Sequence, residues 1–600
     1  MTERLRLSAL LLAFLATAFL AFAGDGNDSH AQASGISAGT DGSLSANASG
    51  QGSAGSGLEL PSHKSKYGQY LAALVAEGEQ DLSSAADFMQ NVLAQEPDND
   101  EILVHTFILQ ATEGRFETAV ELAQRMEERG IVQPIGQLAL ATQALIEDDP
   151  QRAETHIAKQ PKQGINSVSN PFLLAWVEAA RDDKDAALDQ LKTLEENTSL
   201  TPLLELHRLL LHDWFDDEQG AEAAVETLLE GSQELSLRII RVVGNYLERH
   251  GERERALELY EEQRALDPES LVIADMIQRL EEGEEPPALV SSPRQGYAQA
   301  LFDIASVLGQ ENLVQYAIIH AHFALAVEPD LTLTRVLIGE MLQQAGRSRT
   351  AIDVYRNMPE DSPFAWSTRL RIAEELYNTD RLEEALSELE ELAETRPGRF
   401  EPHYRMGNLY RMEERFEDAA EAYDRAIKRL GDPRPRHWSI YYFRGIAFER
   451  IDRWPQAEAD FLKALDLQPE QPYVMNYLAY SWVEQKRNYE QAEEMLLQAV
   501  EMQPEDGHIV DSLGWVYYRL GRFEEAVEQL EKAVELRPQD PVINDHLGDA
   551  YWQVGRTREA RIQWSRALSL EPEEDEIPKI ERKLEEGLPE DEEREEGQPI

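Results

Sequence analysis

An all-α solenoid of stacked helix–turn–helix units is the fold the sequence predicts, on three periodic signals. A small residue recurs at Ala305, Gly339, Ala373, Gly407, Gly445, Ala479, Gly514 and Gly548, in steps of 34, 34, 34, 38, 34, 35 and 34. Such a period is that of a helical hairpin repeat. Twelve residues after each comes an alanine: Ala317, Ala351, Ala385, Ala419, Ala457, Ala492 (one residue late), Ala526 and Ala560. Most units close on a proline, as at Pro329, Pro363, Pro397, Pro469, Pro504, Pro538 and Pro572. The small residue in the first helix (helix A) lets the second (helix B) approach, and the alanine keeps the pair tight. A large residue four further on, such as Tyr355, Tyr423, Phe461 or Trp564, fills the remaining gap, because interiors pack densely. Proline cannot continue helix B, so the next hairpin begins there.

From the N-terminus, residues 1–23 read as a signal peptide or N-terminal anchor. Arg4 and Arg6 precede an apolar run from Leu7 to Ala23, which ends Ala21-Phe22-Ala23. That order of charge, apolar stretch and small-residue site is a secretory pattern. The run of 17 residues is at the lower limit for crossing a bilayer, so an uncleaved anchor is the alternative. No cysteine follows it, which excludes a lipoprotein anchor. Residues 24–66 are Gly, Ser, Ala and Asp with almost no large apolar side chain, the composition of a disordered tether.

Residues 67–280 form a degenerate N-terminal repeat block. The unit of Gly244, Gly251, Ala256, Tyr260 and Pro268 is clear; Leu103–Glu128 and Ala72–Pro97 are fair. Leu138–Ile157 and Phe172–Leu194 are degenerate, and Leu203–Leu229 is helical in uncertain register. Nine clear units and about five degenerate ones result. An extra helix then leads into Glu-Glu-Gly-Glu-Glu-Pro-Pro. This acidic, proline-containing break at 281–293 is expected to separate two blocks, as a hinge or a surface loop, or to be a plain insertion in one superhelix. Residues 294–573 hold eight clear repeats. Residues 574–600 form an acidic tail in which Ile577–Leu584 can make a capping helix.

The run Leu513-Gly514-x-x-Tyr517, Gly521-Arg522-Phe523, Ala526, Ala533, Pro538 resembles the tetratricopeptide repeat (TPR) family. So does Leu547-Gly548-x-x-Tyr551, Gly555, Ala560, Trp564, Ala567, Pro572. The family's early tryptophan is replaced by Tyr441, Met475, Val510 and Asn544, and the Gly407 unit closes late, at Gly431-Asp432-Pro433. The resemblance implies a right-handed superhelix whose concave groove, lined by the A helices, binds proteins or peptides. Met475–Trp482 and Asp511–Trp515 are similar to long exported proteobacterial members of the family.

The chain carries 113 acidic and 57 basic residues, a net charge of −56. Such a field repels nucleic acids and anionic lipid. The acidity suits either a groove for basic partners or a hydrated surface in a salty medium. With no cysteine there is no disulfide, thiolate metal site or cysteine nucleophile. Gly35-Ile36-Ser37-Ala38-Gly39 matches G-x-S-x-G, but it lies in the tether rather than on a strand-to-helix elbow. His320 and His322 are two apart, and His207 and His212 five apart. Neither spacing makes a helical metal pair. Zinc-protease, phosphate-loop and dinucleotide motifs are missing. The expectation is therefore no catalytic residue, no metal and no cofactor.

On the family's pattern, the groove stripe reads Tyr404, Asn408 and Arg411; Tyr442 and Glu449; Asn476, Tyr480 and Val483; Asp511, Trp515 and Tyr518; Asp545, Asp549 and Trp552. Aromatics there can stack on a partner, and Asn and Asp can bond its backbone or basic side chains. The alternative is that several, above all Tyr480 and Trp515, simply pack between adjacent A helices. Family members that clamp a C-terminal carboxylate use Lys and Arg on this stripe, which here is mostly acidic and aromatic. The leading functional expectation is a non-catalytic interaction scaffold, exported and periplasmic or anchored facing the periplasm. Alternatives are an assembly factor for a secretion or polysaccharide-export machine, an adaptor for a periplasmic processing protease, or an enzyme with a site between Leu138 and Leu229.

Overall fold

The computed structural model describes residues 65–230 and 235–588. The leader 1–23, nearly all of the 24–66 tether, the G-x-S-x-G match and the last dozen residues lie outside them. Among the described residues every regular element is a helix. The chain divides into two compact units, one running to Glu388 and one from Leu389, so that the boundary falls within the helix Leu382–Thr395, which is grouped with the first. The acidic 281–293 segment lies inside the first unit.

The N-terminal unit opens with six hairpins: α1 (Lys66–Gly78) with α2 (Leu82–Gln95), α3 (Asp100–Thr112) with α4 (Phe116–Glu128), α5 (Pro134–Ile146) with α6 (Pro150–Ala158), α7 (Asn166–Ala179) with α8 (Lys184–Lys192), α9 (Thr201–Trp214) with α10 (Glu218–Glu230), and α11 (Leu237–Arg249) with α12 (Arg253–Leu266). An unpaired helix, α13 (Leu271–Glu282), precedes the acidic segment. Then come α14 (Pro293–Gln310) with α15 (Val314–Val327), α16 (Thr332–Gln344) with α17 (Ser348–Arg356), and α18 (Ala365–Tyr377) with α19 (Leu382–Thr395). The C-terminal unit stacks α20 (Glu401–Met412) with α21 (Phe416–Leu430), α22 (Trp438–Arg450) with α23 (Trp454–Leu467), α24 (Pro472–Glu484) with α25 (Tyr489–Met502), α26 (Gly507–Arg519) with α27 (Phe523–Leu536), and α28 (Pro541–Gln553) with α29 (Thr557–Ser569). A last helix, α30 (Ile577–Glu586), closes it.

Three local devices make each hairpin. Each A–B turn holds a residue with positive φ: Gln80, Gly114, Asp148, Asp182, Asp216 and Gly251, then Asn312, Gly346, Asp380, Glu414, Asp452, Lys486, Gly521 and Gly555. Glycine, asparagine and aspartate visit that left-handed region most readily. Where an aspartate turns the chain, a second one often starts helix B. Asp149 and Asp183 accept from the amides of Arg152 and Ala186 at 3.0 Å each, satisfying N-terminal donors. Deep in every helix B stands a fully buried alanine, Ala85, Ala119, Ala153, Ala187, Ala221 and Ala256 in the first block and Ala317 to Ala560 in the second.

The third device is volume matching between the small helix A position and the residue 16 further on. A Cβ on Gly548 would lie 2.4 Å from the Trp564 ring, and one on Gly407 2.5 Å from Tyr423. Where alanine replaces glycine the partner shrinks: Ala175 with Leu191, Ala141 with Ile157. In the α3–α4 hairpin the sizes are exchanged, Phe107 standing with Ala123, and in α9–α10 they are levelled, Leu209 with Val225. All of these residues are buried. The period therefore continues through the block that looks degenerate in sequence, because total volume is kept while identity is not. Residues 203–229, of uncertain register in sequence, are placed by Asp216 and Ala221.

Within the N-terminal unit the chain returns on itself. α14 packs on α7 and α9, and α15 packs on α3, α4 and α5. The contacts use the inner face of the early A helices. Gly296 lies against the Trp176 indole, where a Cβ would come within 2.1 Å. Thr142 is 3.4 Å from the buried Tyr297 hydroxyl, and Phe116 meets Phe323 edge-on at 5.4 Å. A polar chain pins the hairpin. Trp176 Nε1 donates to His207 Nδ1 at 3.1 Å, His207 Nε2 lies 3.3 Å from Asp303 Oδ2, and Arg238 grips both Asp303 oxygens at 3.0 and 2.9 Å. Burial alone would raise the Asp303 carboxyl's pKa, but Arg238 and His207 hold it below the usual value. The acidic segment is fastened too: Val290 is buried, and Asn245 donates to the Pro287 carbonyl at 2.9 Å.

Candidate protein-binding surface

In the C-terminal unit the inner stripe is set by helical geometry. Residues at −3, +1 and +4 from the small residue share one face of helix A. The structure divides the twelve candidate residues into those consumed by packing and those left with unused groups.

The consumed set lies at the C-terminal end. Asp511 accepts from His546 Nδ1 at 3.0 Å. Trp515 stacks on Tyr518 (4.8 Å, 7°) and on His546 (4.0 Å, 15°), while its Nε1 donates to Glu484 at 2.6 Å. Trp515 is thus a seam between adjacent A helices, as the packing alternative expected. Tyr518 also meets Phe523 edge-on, and burial pushes its hydroxyl up to about 12. Beyond it α30 takes the place of a further A helix. Lys583, 34 residues after Asp549, donates to Asp545 at 2.6 Å and to Asp549 at 2.8 Å. Ile580 is buried, and Gly587 lies against the Trp552 ring, which itself tilts on Trp564 at 5.5 Å. Asp545, Asp549 and Trp552 are therefore covered by α30 and the glycine that follows it. Burial and the neighbouring Asp545 push Asp549 up to about 6, against the pull of Lys583.

Further back the stripe is less complete. Tyr404 is buried, with its hydroxyl 3.2 Å from Ser439 Oγ, and Asn408 Oδ1 accepts from the Tyr423 hydroxyl at 2.7 Å. Arg411 lies over the Phe443 ring at 4.4 Å, and its Nε is sealed without a hydrogen bond. Tyr442 sits among Trp438, Phe443, Phe461 and Tyr477, and burial raises its hydroxyl. Asn476 Oδ1 is sealed without a partner. Burial, then Glu484 and Asp511, raise the half-buried Tyr480 hydroxyl, for which the described residues offer no hydrogen bond. Of the other stripe positions, Glu449 accepts from Tyr477 at 3.2 Å and Val483 is fully buried.

The four histidines are held apart by different partners: His207 accepts from Trp176 Nε1, and His212 Nδ1 lies 2.7 Å from Asp217 Oδ2. Burial pulls His320 and His322 down to about 4, His320 bonding the Tyr316 carbonyl and His322 lying against Gly114. Among the described residues no group of three His, Cys, Asp or Glu could hold a metal ion, and no helix is long and apolar enough to cross a membrane.

Residues 320–582 match the family model of the cilia and flagella-associated protein 70 C-terminal domain. Repeat length, hairpin packing and this match make the chain a tetratricopeptide repeat protein. Among curated proteins, a UDP-N-acetylglucosamine–peptide N-acetylglucosaminyltransferase of Giardia intestinalis is 31% identical over 83 residues, which is 14% of this chain and 5% of that relative. The chain therefore spans only a small part of that relative's length. Among solved structures, the Cut9 and Hcn1 hetero-tetramer of the APC/C contains a chain with TM-score 0.36 and 15% identity, covering 87% of this chain and 96% of that one. A tetratricopeptide repeat protein of Parabacteroides merdae gives 0.34 and 15%, over 42% and 96%. YrrB, described as having an unusual peptide-binding site, gives 0.25 and 19%, over 28% and 86%.

Proposed function

We propose that this protein is a non-catalytic interaction scaffold of the bacterial envelope that holds a partner protein or peptide on the inner face of its C-terminal unit. The observation that carries the reading is the pair of half-buried tyrosines on successive A helices, Tyr442 on α22 and Tyr480 on α24, whose hydroxyls have no hydrogen bond among the described residues. Partly buried groups without partners cost stability unless something else supplies the bond. A bound chain crossing the stripe would supply it with backbone amides and carbonyls. Aromatic rings beside these groups would give the contact its apolar area.

The envelope placement rests on the residues Met1–Ala23 and their small-residue site. Assembly factor and protease adaptor are the two partner-level forms of the same scaffold. A photo-crosslinking amino acid at Tyr480, compared with one at the exposed helix-B position Ile562, tests the groove in cells. A distinct adduct from Tyr480 supports the reading; identical adducts from both positions, or none, would reject it. N-terminal sequencing of the mature protein checks export, with Gly24 expected as the first residue.

A further inference from the structure

Arg241, on the inner face of α11, stands apart from the other arginines of the N-terminal unit's interior. Its neighbour Arg238 is bonded to Asp303, and Arg279 to Glu248 at 2.6 Å. Arg347 pairs with Glu113, and Arg371 with Glu340 at 2.8 Å. Arg241 has no hydrogen bond or ion pair among the described residues. Its guanidinium lies over the Phe364 ring, 5.3 Å from the centroid. The groups acting on it are two further cations, Arg238 and Arg279, and the Tyr260 hydroxyl; no carboxylate is among them. Desolvation, then those cations, pull the guanidinium down to about 10. The side chain is half-buried, so part of it stays reachable.

This is a costly arrangement in a chain with 113 acids, any of which could have been placed opposite. A desolvated charge without a counter-charge opposes folding. The Phe364 ring lies on one side of the guanidinium, and its N–H groups have no hydrogen bond among the described residues, so they are available to a planar carboxylate, which guanidinium receives through two parallel bonds. The net charge of −56 disfavours polyanions and dianions more than a single negative charge.

We propose that Arg241 and Phe364 form a binding site for a single carboxylate carried on an otherwise neutral ligand. The carboxylate would bond the Arg241 guanidinium and supply the counter-charge that Arg238 and Arg279 already have in Asp303 and Glu248. A glutamate side chain in a neutral peptide and a small monocarboxylate offer the same group. The site lies in the N-terminal unit and does not depend on the reading of the C-terminal stripe.

The test uses the full chain, with hydrogen exchange of the α11 amides as readout. Acetyl-Gly-Glu-Gly-amide, its glutamine counterpart, acetate and inorganic phosphate serve as probes. Protection by the glutamate peptide but not the glutamine one is expected, and acetate shows whether the bare group suffices. Arg241→Gln is expected to abolish the effect while leaving ligand-free α11 at least as protected as in the parent, since an unpaired charge has been removed. Phe364→Leu is expected to weaken binding about tenfold, because the ring beside the guanidinium is lost. Lower protection of ligand-free α11 in Arg241→Gln would make the arginine a structural residue and overturn the proposal. Equal effects of the two peptides would also overturn it, as would protection by phosphate alone.

Discussion

At the position just after the small residue of helix A, the N-terminal unit carries Thr142 and Trp176, and the C-terminal unit carries Asn408 and Tyr480. The first two are buried beneath α14, with Gly296 against the Trp176 ring. Of the second two, Asn408 bonds its own hairpin, and Tyr480 keeps a hydroxyl without a partner. Both units use the same hairpin, the same left-handed turn and the same helix-B alanine. They differ in what covers the inner face. A stack of repeats has no central core of its own, so its concave surface is either filled by another part of the chain or left for something else. In the C-terminal unit α30 fills only the last repeat.

The largest effect should come from removing the acid that pins the returning hairpin. Asp303→Ala leaves Arg238 and His207 buried without their acceptor and should destabilise the N-terminal unit by about 3–5 kcal/mol. Hydrogen exchange resolved by unit is the check: loss of protection spread equally over both units would break the comparison.

Next in size is a pH effect of opposite sign in two places. His320 and His322 have folded pKa values near 4, below the usual value near 6.5. The unfolded chain therefore takes up protons first as pH falls. Protection of α15 should drop between pH 6.5 and 4.5, by up to about 2 kcal/mol per histidine. Asp549 is shifted the other way, to about 6, so its contribution to α28 and α30 is greatest at low pH and is lost as pH rises through 6. Acidification should loosen α15 and tighten α30; parallel changes would contradict the assignments.

Gly548→Ala places a methyl 2.4 Å from the Trp564 ring and should cost about 1–3 kcal/mol. Adding Trp564→Leu should recover part of that loss in a double-mutant cycle, since Ala with Leu is the pair already used at Ala175 and Leu191. Additive costs would show that volume matching is not what links the two positions. The smallest effect is expected at Tyr480→Phe, within about 0.5 kcal/mol by urea denaturation, because no internal bond is removed. Trp176→Ala, one position of the same register in the other unit, should cost about 3–5 kcal/mol. Similar values for the two would mean that the stripe is equally closed in both units.

The hairpins of the C-terminal unit are readable from Gly407, Gly548 and the closing prolines. Those of the early block are harder to see because Phe107 and Leu209 occupy the small position. Two signals would have restored the period there: the helix-B alanines from Ala85 to Ala256, and the Asp148-Asp149, Asp182-Asp183 and Asp216-Asp217 pairs, each a left-handed turn residue followed by a helix start. The stripe positions were likewise legible, because a face repeats every three or four residues. Whether each was free was not. Trp515 and Trp552 look like anchors in sequence, yet one is clasped by His546 and the other lies beneath the end of α30.

The sequence by itself determined the repeat, its length, its turns and the face each helix presents, because these depend on residues within one hairpin or between neighbours. Only the tertiary structure decided which inner face is occupied. That choice depends on contacts such as Arg238 with Asp303, 65 residues apart, and Thr142 with Tyr297, 155 residues apart. No local periodicity encodes them, since they form only once the stacked hairpins have curved enough to bring distant A helices together.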